Sequence, residues 1–200
     1  MKGNVYTLFY AAMLGTACAM VLTFAASFTA PYKEANAKAE ERKNILLALN
    51  ITIPDKASSE QLVEIYDKNV KEQKRGDITT YVYTPSGNDG AIAMRFVGPG
   101  LWGPIKGFLA LDPKITKIRG ITFYEQEETP GLGGEIVKST FRDKFVGLTI
   151  RDETGKPGII IKNGGEAAVN KVDGISGATM TCDKVQQMLN EAIKSITEEK

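Results

Sequence analysis

Between Gly3 and Tyr32 the chain carries no charged side chain. A helix that crosses the hydrocarbon core of a bilayer needs ~20 apolar residues at ~1.5 Å rise each. Val5–Ala30 supplies that length with some to spare. Its polar members, Thr7, Thr16 and Thr23, can bond back to helix carbonyls, and Ala11, Ala12, Gly15 and Ala19 are spaced for close helix–helix approach. Charge begins at Lys33-Glu34. A cleaved signal peptide has an apolar core of only ~7–15 residues, so Ala25-Ala26-Ser27 makes a poor cleavage site at the end of so long a run. A lipoprotein reading fails for a different reason: Gly15-Thr16-Ala17-Cys18 lacks the leucine usual three residues before a lipidated cysteine. Length favours an uncleaved anchor. Lys2 precedes the span while Lys33 and Lys38 follow it, so the positive-inside rule gives only a faint N-in signal.

The remainder has room for one domain within the 200 residues, with 42% hydrophobic and 24% charged residues overall. That balance excludes a disordered or collagen-like chain. The 25 basic and 24 acidic residues leave a net charge of +1, with no electrostatic footprint for nucleic acid. Histidine is absent, which removes imidazole triads, dyads, metal sites and acid–base chemistry together. With Cys18 inside the apolar segment, a disulfide to Cys182 or a zinc site is not expected.

After the span the pattern is α+β, with a mainly antiparallel sheet and packed helices. Residues 33–50 are rich in Ala, Glu, Lys and Leu, and either continue the first helix or restart after Pro31. Ser58 with Gln61 forms a capping box ahead of an amphipathic helix marked by Leu62, Val63, Ile65, Tyr66 and Val70. Strands are expected at Ile78–Thr84, Ala91–Val97, Ile105–Leu111, Ile115–Glu125 and Ile159–Lys162, with a turn at Pro85-Ser86-Gly87-Asn88 and a hairpin around Asp112-Pro113. Phe141–Val146 is a helical turn or short helix. The last helix carries one apolar stripe, Val185, Met188, Leu189, Ala192, Ile193 and Ile196; Thr181 is its expected N-cap and Asp183 sits in its first turn.

Three loops hold the chemistry. Gly98-Pro99-Gly100-Leu101-Trp102-Gly103-Pro104 contains the only tryptophan. Taken alone, this loop reads first as a rigid turn with Trp102 plugging the core, and second as an aromatic platform for a flat ligand. Glu128-Thr129-Pro130-Gly131-Leu132-Gly133-Gly134-Glu135 lets backbone approach a ligand closely, yet its spacing fits neither a phosphate-binding Walker loop nor a dinucleotide fingerprint. Asp173-Gly174-Ile175-Ser176-Gly177-Ala178-Thr179-Met180-Thr181 runs into the last helix, whose free amides and positive dipole end favour a phosphate. Its hydroxyls have no base beside them, so modification by another enzyme suits this loop better than self-activation.

The segment Asp173–Thr179 resembles the flavinylation motif of domains that carry FMN through a threonine phosphoester. Together with Leu101–Pro104, Glu128–Glu135 and the anchor, it is similar to the C subunit of Na+-translocating NADH:quinone oxidoreductases. The G subunit of the Rnf complex shares the Glu128–Gly133 and Ser176–Thr179 elements, while Leu101-Trp102-Gly103-Pro104 followed by Gly107–Leu111 favours the quinone reductase.

The resemblance implies one covalent FMN on Thr179. Ser176, Gly177 and Ala178 would line its phosphate and ribityl chain, with Trp102, Thr129, Gly131 and Leu132 near its ring and Asp173 read by a flavin transferase. It implies a transmembrane anchor over residues 1–32 and an FMN-binding domain over 33–200 on the periplasmic side of the inner membrane, working with other subunits as an electron relay that does not itself bind NADH. The family often carries a histidine just before its Glu-Thr-Pro-Gly element; this chain has Gln126-Glu127-Glu128, which leaves Glu127 and Glu128 as candidate proton carriers or simply as exposed carboxylates. The rival is a membrane-tethered binding domain without redox chemistry, its loops mere turns and Trp102 a core residue.

Overall fold

The computed structural model describes residues 2–85 and 90–198, so most of the turn expected at Pro85-Ser86-Gly87-Asn88 lies outside the described residues. Contacts divide the chain into two compact units after Ala39. The first is helical throughout. It belongs to α1 (Lys2–Ala48), which contains Pro31 without ending there, so the helix continues rather than restarting. Val5, Phe9, Met13, Leu22 and Phe24 are all exposed, and this is the one helix among the described residues long and apolar enough to cross a membrane. Thr7, Thr16 and Thr29 donate to the carbonyls of Gly3, Ala12 and Ala25, which removes the cost of a bare hydroxyl in lipid.

The second unit is an α+β domain built on a five-stranded antiparallel meander. Its strands are β1 (Val70–Arg75), β2 (Ile78–Tyr83), β3 (Ala91–Pro99), β4 (Pro104–Leu111) and β5 (Ile118–Glu125), each paired with the next. Both faces are covered. On one face Met94, Phe96, Ile105, Leu109, Ile121 and Phe123 pack against Val185, Met188, Leu189 and Ile193 of α4 (Thr179–Glu198). On the other, Ala91, Ala93, Phe108 and Ala110 meet Ile45, Leu46 and Leu49 at the end of α1 and Leu62 and Tyr66 of α2 (Ser59–Asn69). The alternation along β3 and β4 follows from the two-residue period of a strand. Small side chains on the second face let a helix end come close. A Cβ at Gly120 would run into the carbonyl of Ala48.

Several elements differ from the sequence expectation. Val70 leaves the helix and opens β1. The strand expected from Ile115 starts at Ile118, because Ile115 turns with φ +55° and Asp112 gathers the Thr116 and Lys117 amides at 2.6 and 2.9 Å. The capping box on α2 is present in both directions. Beyond the meander lie α3 (Ser139–Arg142) and two short parallel strands, β6 (Ile160–Ile161) and β7 (Lys171–Val172). Helix α4 holds β6 in place through polar side chains: Gln186 accepts from the Ile161 amide at 2.7 Å, and Asn190 accepts from the Ile159 amide at 2.7 Å.

Candidate functional site

Each of the three loops is fixed by the element it leaves. The first is the tip of the β3–β4 hairpin, where Pro99 faces Pro104 and the Gly100 amide closes the turn on the Gly103 carbonyl at 2.8 Å. The turn throws Trp102 outward with 71% of its surface exposed. Trp102 is therefore a surface residue and not the core plug of the first reading. Nothing in the loop's composition distinguishes the two; the direction of the hairpin does. The second loop leaves β5 and folds back on itself, the Thr129 carbonyl accepting from Leu132 and Gly134 at 3.1 and 3.0 Å, before a 3-10 turn at Gly133–Val137. Gly131 sits at φ +78°, a left-handed position that glycine takes without strain.

The third loop runs from β7 into α4, and the helix begins at Thr179. This moves two expected roles. Thr181 lies inside the first turn instead of capping it, and Asp183 lies beyond that turn. The loop is drawn in by a turn from Ile175 to Ala178 (3.1 Å) and by the Cys182 thiol, which accepts from the Ile175 amide at 3.3 Å. Burial pushes that thiol upward, so it is an acceptor here and a poor nucleophile. Ser176, Gly177 and Thr179 are exposed, Ala178 is buried, and the Thr179 hydroxyl makes no hydrogen bond to another described residue.

The loops meet at one carboxylate. Glu128 is only 4% exposed, against the expectation of a solvated side chain. Its Oε1 accepts from the Leu101 amide at 2.7 Å and the Trp102 amide at 3.4 Å, and its Oε2 accepts from the Thr181 hydroxyl at 2.6 Å. Glu127, next to it, is exposed. Gly133 packs where a Cβ would strike the Thr181 hydroxyl and Glu128 Oε2. A second junction joins the Gly-rich loop to the third loop: a Cβ on Gly177 would stand 3.0 Å from Leu132 Cδ2.

Leu132 thus lies close over Gly177, and the Trp102 backbone is tied through Glu128 to Thr181 on the helix that follows the third loop. Thr129 and Gly131 are exposed on the same loop as Leu132. Beside Thr179 opens a cleft of about 550 Å³ whose walls include Lys162, Asn163, Gly174, Asp183 and Gln186. Trp102 and Leu132 do not line it. Lys144 reaches the rim of the third loop, donating to the Asp173 carbonyl at 3.3 Å. Sequence reasoning missed Lys144, Lys162 and the role of Glu128. Glu127 and Glu128 are adjacent and chemically identical, and only the tertiary contacts tell them apart.

Comparison with known proteins agrees with the loops. Residues 100–194 match the family model of the FMN-binding domain. The C subunit of the Na(+)-translocating NADH-quinone reductase of Vibrio campbellii is 39% identical over 135 residues, 66% of this chain and 51% of that protein. Its counterpart in Neisseria meningitidis serogroup A is 43% identical over 111 residues, 54% of this chain and 43% of that one. The chain spans about half the length of the curated relatives it matches. Among solved structures, the corresponding C subunit of Parabacteroides distasonis superposes with a TM-score of 0.73 at 27% identity, covering 84% of this chain and 94% of the other. NqrC of Shewanella oneidensis shares the fold, with a TM-score of 0.64 at 21% identity over 80% of this chain and 99% of the other. The chain is related to these C subunits, as its loop motifs imply, and its antiparallel sheet with packed helices is their fold.

Proposed function

We propose that this chain is the FMN-carrying electron-transfer subunit of a membrane-bound Na+-translocating NADH:quinone reductase, with one FMN joined to Thr179 through a phosphoester. The observation that carries the reading is an exposed threonine hydroxyl, without a hydrogen bond to another described residue, at the start of a long helix and two residues before Thr181, through which Glu128 ties the helix to the first loop. The residues present suit the group. A phosphate on Thr179 would meet the first-turn amides and dipole of α4, with Lys162 lining the adjoining cleft. Exposed Trp102 and Leu132 offer apolar surface for a flat ring, and Ser176, Gly177 and Ala178 form the turn ahead of the attachment point, with Thr129 and Gly131 on the facing loop. The exposure of Trp102 also counts against a purely structural domain, which would bury its one tryptophan in the core.

FMN supplies the redox chemistry when bound, and the protein supplies binding, orientation and electrostatics. Here α4 presents the hydroxyl and fixes its direction. No described residue hydrogen-bonds that hydroxyl, so none is engaged to deprotonate it, and attachment is assigned to a flavin transferase. The covalent bond prevents loss of the cofactor from a site outside the cytoplasm. Residues 1–32 act as the anchor and 33–200 as the flavin domain, which works only with its partner subunits and lacks a dinucleotide fingerprint for NADH.

The test is a denaturing gel viewed under ultraviolet light, followed by peptide mass analysis. The chain made together with a flavin transferase should keep a yellow-green band through denaturation, with the FMN mass on Thr179; made without the transferase, or as Thr179→Ala, it should be folded and colourless. FMN found on Ser176 or Thr181 would overturn the assignment.

A further inference from the structure

Glu128 presents an oddity of energetics. A carboxylate that is only 4% exposed costs several kcal/mol unless donors are aimed at it. Among the described residues it enters no ion pair; its partners are two backbone amides and one hydroxyl. Those partners are divided between its oxygens by element. Oε1 holds the hairpin tip through the Leu101 and Trp102 amides, and Oε2 holds the first turn of α4 through Thr181, two residues from Thr179. The fit is close on both sides, since Gly100 and Gly133 each lie where a Cβ would strike this carboxylate. The Trp102 ring itself is exposed, so what Glu128 holds is the backbone of the hairpin tip from which the ring projects.

We propose that Glu128 is a positioning residue: its two oxygens fix the hairpin tip that carries Trp102 relative to the first turn of α4 that carries Thr179, before any cofactor arrives. Its bearing on flavin rests on the function proposed above, but the clamp itself does not. A site held in advance binds with less ordering cost, and an exposed indole on a hairpin tip is the part most in need of it. A carboxylate suits the task better than an amide because each of its oxygens is an acceptor, and charged hydrogen bonds are roughly twice as strong as neutral ones. Glutamine keeps one acceptor for the Leu101 amide and can turn its NH2 toward the Thr181 oxygen, so it should largely rescue the geometry. Alanine cannot.

The experiment uses the full chain in detergent, produced once without and once with a flavin transferase. Trp102 is the only tryptophan, so its fluorescence anisotropy reads one ring. In the flavin-free chain, Glu128→Ala should speed exchange of the Leu101 amide about tenfold or more, as loss of one charge-assisted hydrogen bond implies, and lower the Trp102 anisotropy. Glu128→Gln should stay within about threefold of the parent in exchange. Thr181→Val removes one tie at nearly constant shape and should fall between them. In the flavin-carrying chain, the anisotropy of the bound flavin should drop in Glu128→Ala and recover in Glu128→Gln. The proposal is overturned if Glu128→Ala leaves Leu101 exchange and Trp102 anisotropy at parent values, or if glutamine rescues neither. Collapse of all three variants would overturn it too, since Glu128 would then be a core residue and not a clamp. If the flavin-free results hold while the parent acquires no flavin from the transferase, the cofactor assignment fails and the clamp stands.

Discussion

Thr179 and Thr181 lie two residues apart and do opposite things. One is exposed, with a hydroxyl that has no hydrogen bond to another described residue; the other is 1% exposed and donates its hydroxyl to Glu128. An N-cap at Thr181 would be worth about 1 kcal/mol. Removal of a buried donor to a carboxylate is a larger loss, because Glu128 keeps its burial and loses a partner. Thr181→Ala should therefore lower unfolding free energy by about 2–3 kcal/mol, and on the proposed function it should leave flavin attachment at Thr179 intact. Urea titration followed by circular dichroism measures it, and Thr181→Ser should recover most of the loss. A change below about 1 kcal/mol would mean that the hydrogen bond to Glu128 is not a substantial part of stability. The contrast also marks where reading residues stops. The resemblance of Asp173–Thr179 to a flavinylation motif singles out one threonine from a short run of glycines and hydroxyls, because such a motif is a local order of residues. The partner of Thr181 lies 53 positions away, and no spacing rule reaches it.

The elements read from periodicity are those with a strong apolar stripe or alternation. The stripe on α4 is buried from Val185 to Ile196 except at Ala192, which is half-buried, and β3 and β4 alternate between the two cores. What escaped the pattern is polar or short. β1 reads Val-Lys-Glu-Gln-Lys-Arg, an edge strand exposed after its first residue, and such a run looks like the tail of a helix. β7 has two residues and exists only because β6 lies beside it. The β4–β5 turn falls at the residues its Asp-Pro pair marks, but its organiser is the Asp112 side chain, which composition does not reveal. Partial burial pushes that carboxyl up, yet the Lys117 and Thr116 amides and the Thr116 hydroxyl more than offset it, so its pKa lies below the ordinary value of 3.8. A depressed folded pKa means stability that is complete above the ordinary value and is lost as pH falls through the folded one. Asp112→Asn should cost about 0.5–1 kcal/mol at neutral pH, modest because solvent screens the carboxylate, and the gap to the parent should close in acid. Thermal unfolding from pH 7 down to about 2 tests this; a gap that is constant with pH would mean the charge is irrelevant to the turn.

A chain with one apolar helix and one α+β domain must settle which side of a membrane the domain occupies. The apolar side chains from Val5 to Phe28 are exposed in the first unit, and in water they would be a large unfavourable area, so lipid is their natural solvent. A single span leaves everything after Lys33 on one face. Charge decides weakly between the faces, because Lys33 and Lys38 follow the span as Lys2 precedes it. The proposed function bears on it more: a phosphoester tether to FMN would be of most use where free FMN is scarce, which fits a domain outside the cytoplasm. A reporter active only outside the cytoplasm, fused after Lys200, should therefore be active, and protease added to spheroplasts should remove the domain. Detergent should be needed to extract the full chain. Release by a salt wash, with a mature N-terminus near Phe28, would mean that the apolar segment is a cleaved leader. Resistance to protease until the cells are lysed would reverse the orientation. Trp102 and Thr179 would then face cytoplasmic partners, where flavin is plentiful and a covalent tether has no evident use, and the proposed electron route would have to run through that side.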